Sequence, residues 1–257
     1  MKVIKHNLGD FKEIFVLPIA DLHLGDPRSD FKRIMMYLDY IEKNDNVFCI
    51  LNGDLMDAAI QSSIGDTYGA SLQPMEQLSQ CVKLFGPIAQ KCLAVLPGNH
   101  EMRIYRNDGL DVTQLMCNQL GIGDLYSPTG ALIFVRFGDR PGAHHHRPVA
   151  YTFYATHGSG GGRTIGAKAK RLEDLSAIVD ADIFVHSHTH LPMIFRQAFY
   201  RTSMANSSVL RCERLFVNTA ATLDYGGYAE GQGYKPASME TPIIQLDGTT
   251  HKMTASV

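Results

Sequence analysis

Five short apolar runs in this chain each end in side chains able to hold a metal ion. EIFVLPIA (13–20) leads into Asp21-Leu22-His23 and VFCIL (47–51) into Asn52-Gly53-Asp54-Leu55-Met56-Asp57. CLAVL (92–96) leads into Pro97-Gly98-Asn99-His100-Glu101, VAYTFYAT (149–156) into His157-Gly158, and DIFV (182–185) into His186-Ser187-His188-Thr189-His190. An Asp-x-His or His-x-His pair is common by chance, and a lone buried histidine is more often a core residue than a ligand. Five such groups in order are different, because polar side chains left at strand ends without partners are costly to bury. On an extended segment, residues two apart lie on the same side, so Asp21 with His23, and His188 with His190, are each expected to grip one ion. Carboxylate, imidazole and amide donors without a thiolate suit manganese, iron, zinc, cobalt or nickel, with manganese the first expectation.

Such groups work together only if the elements before them bring their ends to one place. Short β-rich runs alternate with segments of helical period, the pattern of an α/β layered domain. FKRIMMYLDYIEK (31–43) carries a helical stripe of Ile34, Met35, Leu38 and Ile41 behind an N-cap at Ser29 or Asp30. A second helix is expected over 74–91, opened by Pro74, and a third over 110–120, stopped by Gly121. The later half reads as short strands (IFVRF, VAYTFYAT, DIFVH, MIFRQAFY, RLFVN, PIIQL), with one helical segment at 163–179. In open α/β sheets ligands bind beyond the carboxyl ends of parallel strands, so donors scattered in sequence should converge there. A single domain over 1–257 is expected, with 222–241 a long irregular loop that serves as a lid or a surface excursion.

A net charge of −2 with a pI near 6.6 gives no global attraction to a polyanion, so any nucleic-acid contact has to come from a local patch or bound metal. The five cysteines are odd in number and widely spaced, and read as reduced core thiols. No run approaches the roughly 18 apolar residues needed to cross a bilayer, so a cytoplasmic protein with no membrane contact is expected. His144, His145 and His146, between Pro141 and Pro148, read as a surface hairpin loop, since adjacent residues cannot all face one ion.

The order Asp21-x-His23, Gly53-Asp54-x-x-Asp57, Gly98-Asn99-His100-Glu101, His157-Gly158, His188-x-His190 resembles the calcineurin-like metallophosphoesterase family over about two thirds of the chain. The resemblance implies an α/β fold, a four-layer α/β/β/α sandwich of two mixed sheets with a dinuclear metal site at one sheet edge. It allots Asp21, His23, Asp54 and His190 to one divalent ion and Asp54, Asn99, His157 and His188 to the other, with Asp54 bridging. It makes His100 the general acid and gives Asp57 an orienting role. One departure is Ser187, where the family usually has glycine, which leaves His186 as an alternative to His188. Two ions about 3.5–4 Å apart activate a water for in-line displacement, with no covalent protein intermediate.

The resemblance divides over the ester. Protein phosphatases of this family continue the second motif as Asp-Arg-Gly and place arginine before Gly-Asn-His-Glu, giving guanidinium forks for a phosphomonoester. Here Ala58-Ala59 follow Asp57 and Pro97 precedes Gly98. DLHLG (21–25) with GDLMD (53–57) looks instead like the nuclease and phosphodiesterase branch, which includes DNA-repair exonucleases. A phosphodiester substrate, nucleic acid included, is therefore expected ahead of a monoester, with Arg103, Arg106, Arg163 and Lys168 as substrate contacts. The remote alternative is a non-catalytic scaffold, as some family members have become. Protein partners and homo-oligomers are left open.

Overall fold

The computed structural model describes residues 1–60, 63, 69–139 and 148–257. The chain opens with β1 (Lys2–Asn7), β2 (Glu13–Ile19), α1 (Phe31–Lys43), β3 (Val47–Asn52), α2 (Pro74–Phe85), β4 (Cys92–Leu96), α3 (Glu101–Asp108) and α4 (Val112–Gln119). It continues with β5 (Gly130–Asp139), β6 (Pro148–Thr156), α5 (Ile165–Asp174), β7 (Ile183–His186), β8 (Met193–Ser203), β9 (Ser208–Asn218), a helical turn α6 (Tyr228–Gly231), β10 (Ile243–Asp247) and β11 (Met253–Ser256). The strands form two mixed sheets, ordered β1-β5-β6-β7-β9-β8 and β11-β10-β2-β3-β4.

Side-chain alternation decides how the sheets stack. On β2, Ile14 and Val16 enter one apolar cluster while Leu17 and Ile19 enter another; on β3, Phe48 and Ile50 part in the same way from Cys49 and Leu51. The first cluster lies between the sheets, where it also takes Ile133, Val135, Phe153, Val185 and Val217. The second packs the outer face of the five-stranded sheet against Ile34, Leu38, Ile41, Leu78, Phe85 and Met116 of α1, α2 and α4. A third joins Leu172 of α5 and Leu175 to Phe184 and Phe216 on the outer face of the six-stranded sheet. The result is four layers, α/β/β/α. Strands buried on both faces read as continuous apolar runs, as these do.

Local signals account for most helix ends. Asp30, rather than Ser29, caps α1 by accepting from the Arg33 N–H (3.0 Å), and Pro74 opens α2. The helix expected over 74–91 stops at Phe85 and gives way to a 3-10 turn, Gly86–Lys91. Pro87 explains this, since it lacks an N–H and its ring clashes with the preceding turn. The helix expected over 163–179 likewise ends at Asp174 and tightens into a 3-10 turn at Leu175–Ala177. β1, α3 and β11 were not expected. The β1 and α3 segments are short and charged and that of β11 is only four residues long, and for the two strands tertiary pairing supplies what local pattern does not.

No helix among the described residues is long and apolar enough to cross a membrane. The five cysteines are unbridged, with Cys49 and Cys92 facing each other across β3 and β4 at 3.4 Å. His144, His145 and His146 fall outside the described residues, although β5 and β6 on either side pair antiparallel. The 222–241 segment is irregular apart from α6.

Candidate metal centre

β2, β3 and β4 run parallel in one sheet, and β6, β7 and β9 in the other. The C-terminal ends of the two triads meet at one edge of the sandwich. The Asn52 amide at the end of β3 crosses to the other sheet, donating to Thr156 O (2.9 Å) and Ser187 Oγ (2.6 Å). Ser187 is fully buried. The departure from glycine thus becomes a tie between two of the loops.

The loops behind the strand ends carry the expected donors in an unexpected backbone. Asp21, His23, Asp54, His188 and His190 all have φ between 47° and 64°. Five of the seven expected ligands are therefore left-handed, and the reading of Asp21/His23 and His188/His190 as neighbours on extended strands is corrected. Each such residue costs on the order of 1–2 kcal/mol, so surrounding contacts must hold the conformation. Asp21 N donates to Gly53 O and His23 N to Asp54 O, both at 3.0 Å, laying one loop along the other. The buried Glu101 carboxylate accepts from the N–H groups of Gly98 (2.8 Å), Met56 (2.9 Å) and Asp54 (3.1 Å). Sequence reasoning quoted Glu101 within its motif but gave it no role; its place behind the donors is fixing both loops. Asn218, also unforeseen, donates to Thr189 Oγ1 and Leu191 O beside the His188–His190 turn.

All seven expected ligands gather here. Asp21 Oδ1 lies 3.3 Å from His190 Nε2, Asp54 Oδ2 3.2 Å from His157 Nε2, and Asn99 Oδ1 3.2 Å from the same nitrogen. Three donor sets, Asp21/His23/His190, His23/Asp54/His100 and Asp54/His157/His188, each fall within 4.8 Å and overlap through His23 and Asp54. Ligands about 2.1 Å from a common ion sit roughly 3.0–3.4 Å from one another, so the spacing fits divalent cations. Two more observations agree. Asp21 Oδ1 and His23 Nε2 are buried among the described residues without a hydrogen-bond partner. His157 Nδ1 must carry its proton, because it faces the Asn52 carbonyl at 2.8 Å, which turns Nε2 toward Asp54 and Asn99.

The charges ask for a cation. Burial opposes ionisation of Asp54, yet His157, His100 and His23 hold its carboxyl well below the usual range. Burial likewise opposes charge on His157, but Asp54 and Asp21 push that imidazole up to about 10. Burial and neighbouring His157 bring His188 down to about 4.

His186 is not in this cluster; its Nδ1 faces Asn218 Oδ1 at 2.8 Å, leaving His188 as the histidine among the donors. His100 Nδ1 lies 2.7 Å from the Asp57 carbonyl and 3.2 Å from its carboxylate, so Nε2 faces Asp54 Oδ2 at 3.9 Å. Burial opposes charge on His100, and Asp57 outweighs it to raise the imidazole above its ordinary value. Asp57 also approaches His23 Nδ1 at 3.9 Å, and residues 58–60 after it are not helical. Of the expected substrate contacts, Lys168 Nζ donates to Thr189 O (2.6 Å) between His188 and His190. Arg103 reaches Ser63 Oγ (3.3 Å), and Arg163 lies over the Tyr234 ring.

Gly98 shows how closely the loops approach. A Cβ there would stand 2.0 Å from Asp54 Oδ1 and 2.2 Å from Asp54 N. Gly98→Ala should therefore displace Asp54 and cut bound metal per chain by at least half, read by elemental analysis; unchanged metal content would mean that the loops can part without loss of the centre.

A four-layer sandwich with a carboxylate, imidazole and amide cluster at the parallel strand ends defines a metal-dependent phosphoesterase. The chain belongs to the calcineurin-like phosphoesterase family, whose model matches residues 16–192. Among solved structures it is similar to a conserved uncharacterized protein and predicted phosphoesterase from Streptococcus pneumoniae, at 15% identity over 95% of this chain and 88% of that one, TM-score 0.38. It is also similar to vacuolar protein sorting 29 from Cryptosporidium parvum (16%, 95% and 96%, TM-score 0.43). A metallophosphoesterase from Sphaerobacter thermophilus gives 14%, 94% and 87%, with TM-score 0.43. No curated protein matches the chain by sequence.

Proposed function

We propose that this hydrolase cleaves a phosphodiester, with nucleic acid the leading substrate, using two divalent ions, manganese first among them. Asp21, His23, Asp54 and His190 would hold one ion, and Asp54, Asn99, His157 and His188 the other. Bound there, the ions would supply Lewis-acid polarisation of a phosphoryl oxygen and lower the pKa of a water toward neutrality. The protein's own groups do the rest. His100, whose Nδ1 is engaged by Asp57, presents Nε2 to the cleft and gives a proton to the leaving oxygen. Asp57 keeps that ring oriented, and Arg103 and Lys168 add positive charge on either side.

The observation that carries the diester reading is what flanks the cluster. Ala58 and Ala59, both buried, and Pro97 occupy the positions where a guanidinium fork for a monoester dianion would sit. Cationic side chains come instead from 163–171, beyond the His157 loop. A diester carries one charge fewer on its phosphate and extends on both sides, which suits cations set further out. With Mn2+ present, bis-p-nitrophenyl phosphate should be hydrolysed at least tenfold more efficiently in kcat/KM than p-nitrophenyl phosphate. A preference for the monoester would reverse the assignment.

A further inference from the structure

β6, β7 and β9 lie side by side and parallel, with β7 in the middle, so their C-terminal loops leave one edge of the sheet in that order. The middle loop carries His188 and His190. The loops after β6 and β9 start on either side of it, two strand spacings or roughly 10 Å apart. They nevertheless meet, because the Arg163 guanidinium carbon lies 5.2 Å from the centre of the Tyr234 ring. The segments after β6 and β9 each also touch the turns of the metal centre, Lys168 Nζ donating to Thr189 O (2.6 Å) and Thr222 N to Asp21 O (3.1 Å). Arg163 and Tyr234 thus form a strap across the flank of the metal centre.

The strap is anchored at both ends. On the β9 side, Thr222 N donates to Asp21 O (3.1 Å), Arg28 reaches Gly226 O (2.7 Å), and Tyr225 OH donates to Tyr234 O (2.8 Å). On the β6 side Gly160, at φ +113°, lies against the Arg171 guanidinium so closely that a Cβ would stand 2.7 Å from its carbon. Segment 158–171 contains Arg163, Lys168, Lys170 and Arg171 and no acid. Tyr225 is exposed, and Tyr234 is half-buried with the exposed Arg163 guanidinium over its ring. Aromatic rings beside positive charge are the pairing that binds single-stranded nucleic acid: a ring face accepts any base, and a guanidinium follows the backbone.

We infer that Tyr234, Tyr225 and Arg163 hold the nucleotides next to the scissile phosphate, so that the substrate is single-stranded nucleic acid. This rests on the diesterase reading above and narrows it. Binding of a fluorescein-labelled ten-residue oligothymidylate is measured by anisotropy with the full chain in Ca2+, and the oligomer is checked on a gel afterwards for cleavage. Tyr234→Ala should weaken binding about tenfold and Tyr234→Phe should restore it, in keeping with the value of one stacked base. Arg163→Gln, at an exposed position, should lower the slope of log affinity against log salt by about one. The inference is overturned if the unaltered protein does not bind the oligomer, if a duplex of equal length binds as well, or if both variants bind as the unaltered protein does. Oligomer binding without hydrolysis of bis-p-nitrophenyl phosphate would remove the diesterase reading and leave the strap. Diester hydrolysis without oligomer binding would do the reverse.

Discussion

Asp54→Ala is expected to empty the centre. Asp54 belongs to two of the three overlapping donor sets, its Oδ2 faces His157 Nε2 at 3.2 Å, and its Oδ1 accepts from the His100 backbone N–H at 2.8 Å. Removing it takes a donor from both expected ions and the hydrogen bond that sets the Asn99-His100 turn. Metal content should fall from two ions per chain to below one, and phosphoester hydrolysis should be lost. Stability provides a readout independent of turnover. A ligand at about one hundred times its Kd stabilises by roughly 2.7 kcal/mol, which for a chain of this size is a rise in Tm of about 5–10 °C on adding Mn2+. The unaltered protein should show that rise and Asp54→Ala should not. Two ions retained by the variant, or a preserved rise, would count against a bridging carboxylate.

His100→Asn separates proton transfer from metal binding. His100 lies beside the expected ligands but has its Nδ1 committed to Asp57, so its loss should leave both ions and the Mn2+-dependent rise in Tm in place. Turnover should fall by a factor on the order of 10² or more for an ester with an alkoxide leaving group, the usual worth of a positioned general acid. The fall should be smaller with a nitrophenolate leaving group, which departs without needing a proton. His100 also falls within one donor set, with His23 and Asp54, which gives the experiment a second possible outcome. If the variant loses metal, His100 is a ligand; if it loses neither metal nor turnover, it has no part in the reaction.

Much of this was legible before folding is considered. The strands β2, β3 and β4 were read within a residue of their limits, because alternation and apolar content are local properties. The expected donors could be placed as well, since each falls within four residues of a strand's end. Helix ends governed by a distant feature of the same segment fared less well: Pro87 sits thirteen residues after the start of α2 and cuts the expected helix short. The β1 and β11 edges need partners that no local pattern names.

The sequence by itself determined which donors are present, in what order, and that each stands at the end of a strand, because residue type and period are written in consecutive positions. Tertiary structure alone decided how those donors are held. The left-handed backbone at Asp21 and His188, the Asn52 tie to Ser187 across 135 residues, Glu101 accepting from three N–H groups, and the Arg163–Tyr234 strap all join loops from different strands. A strained conformation persists only when contacts from several directions over-determine it. Those contacts exist only after the two sheets have packed.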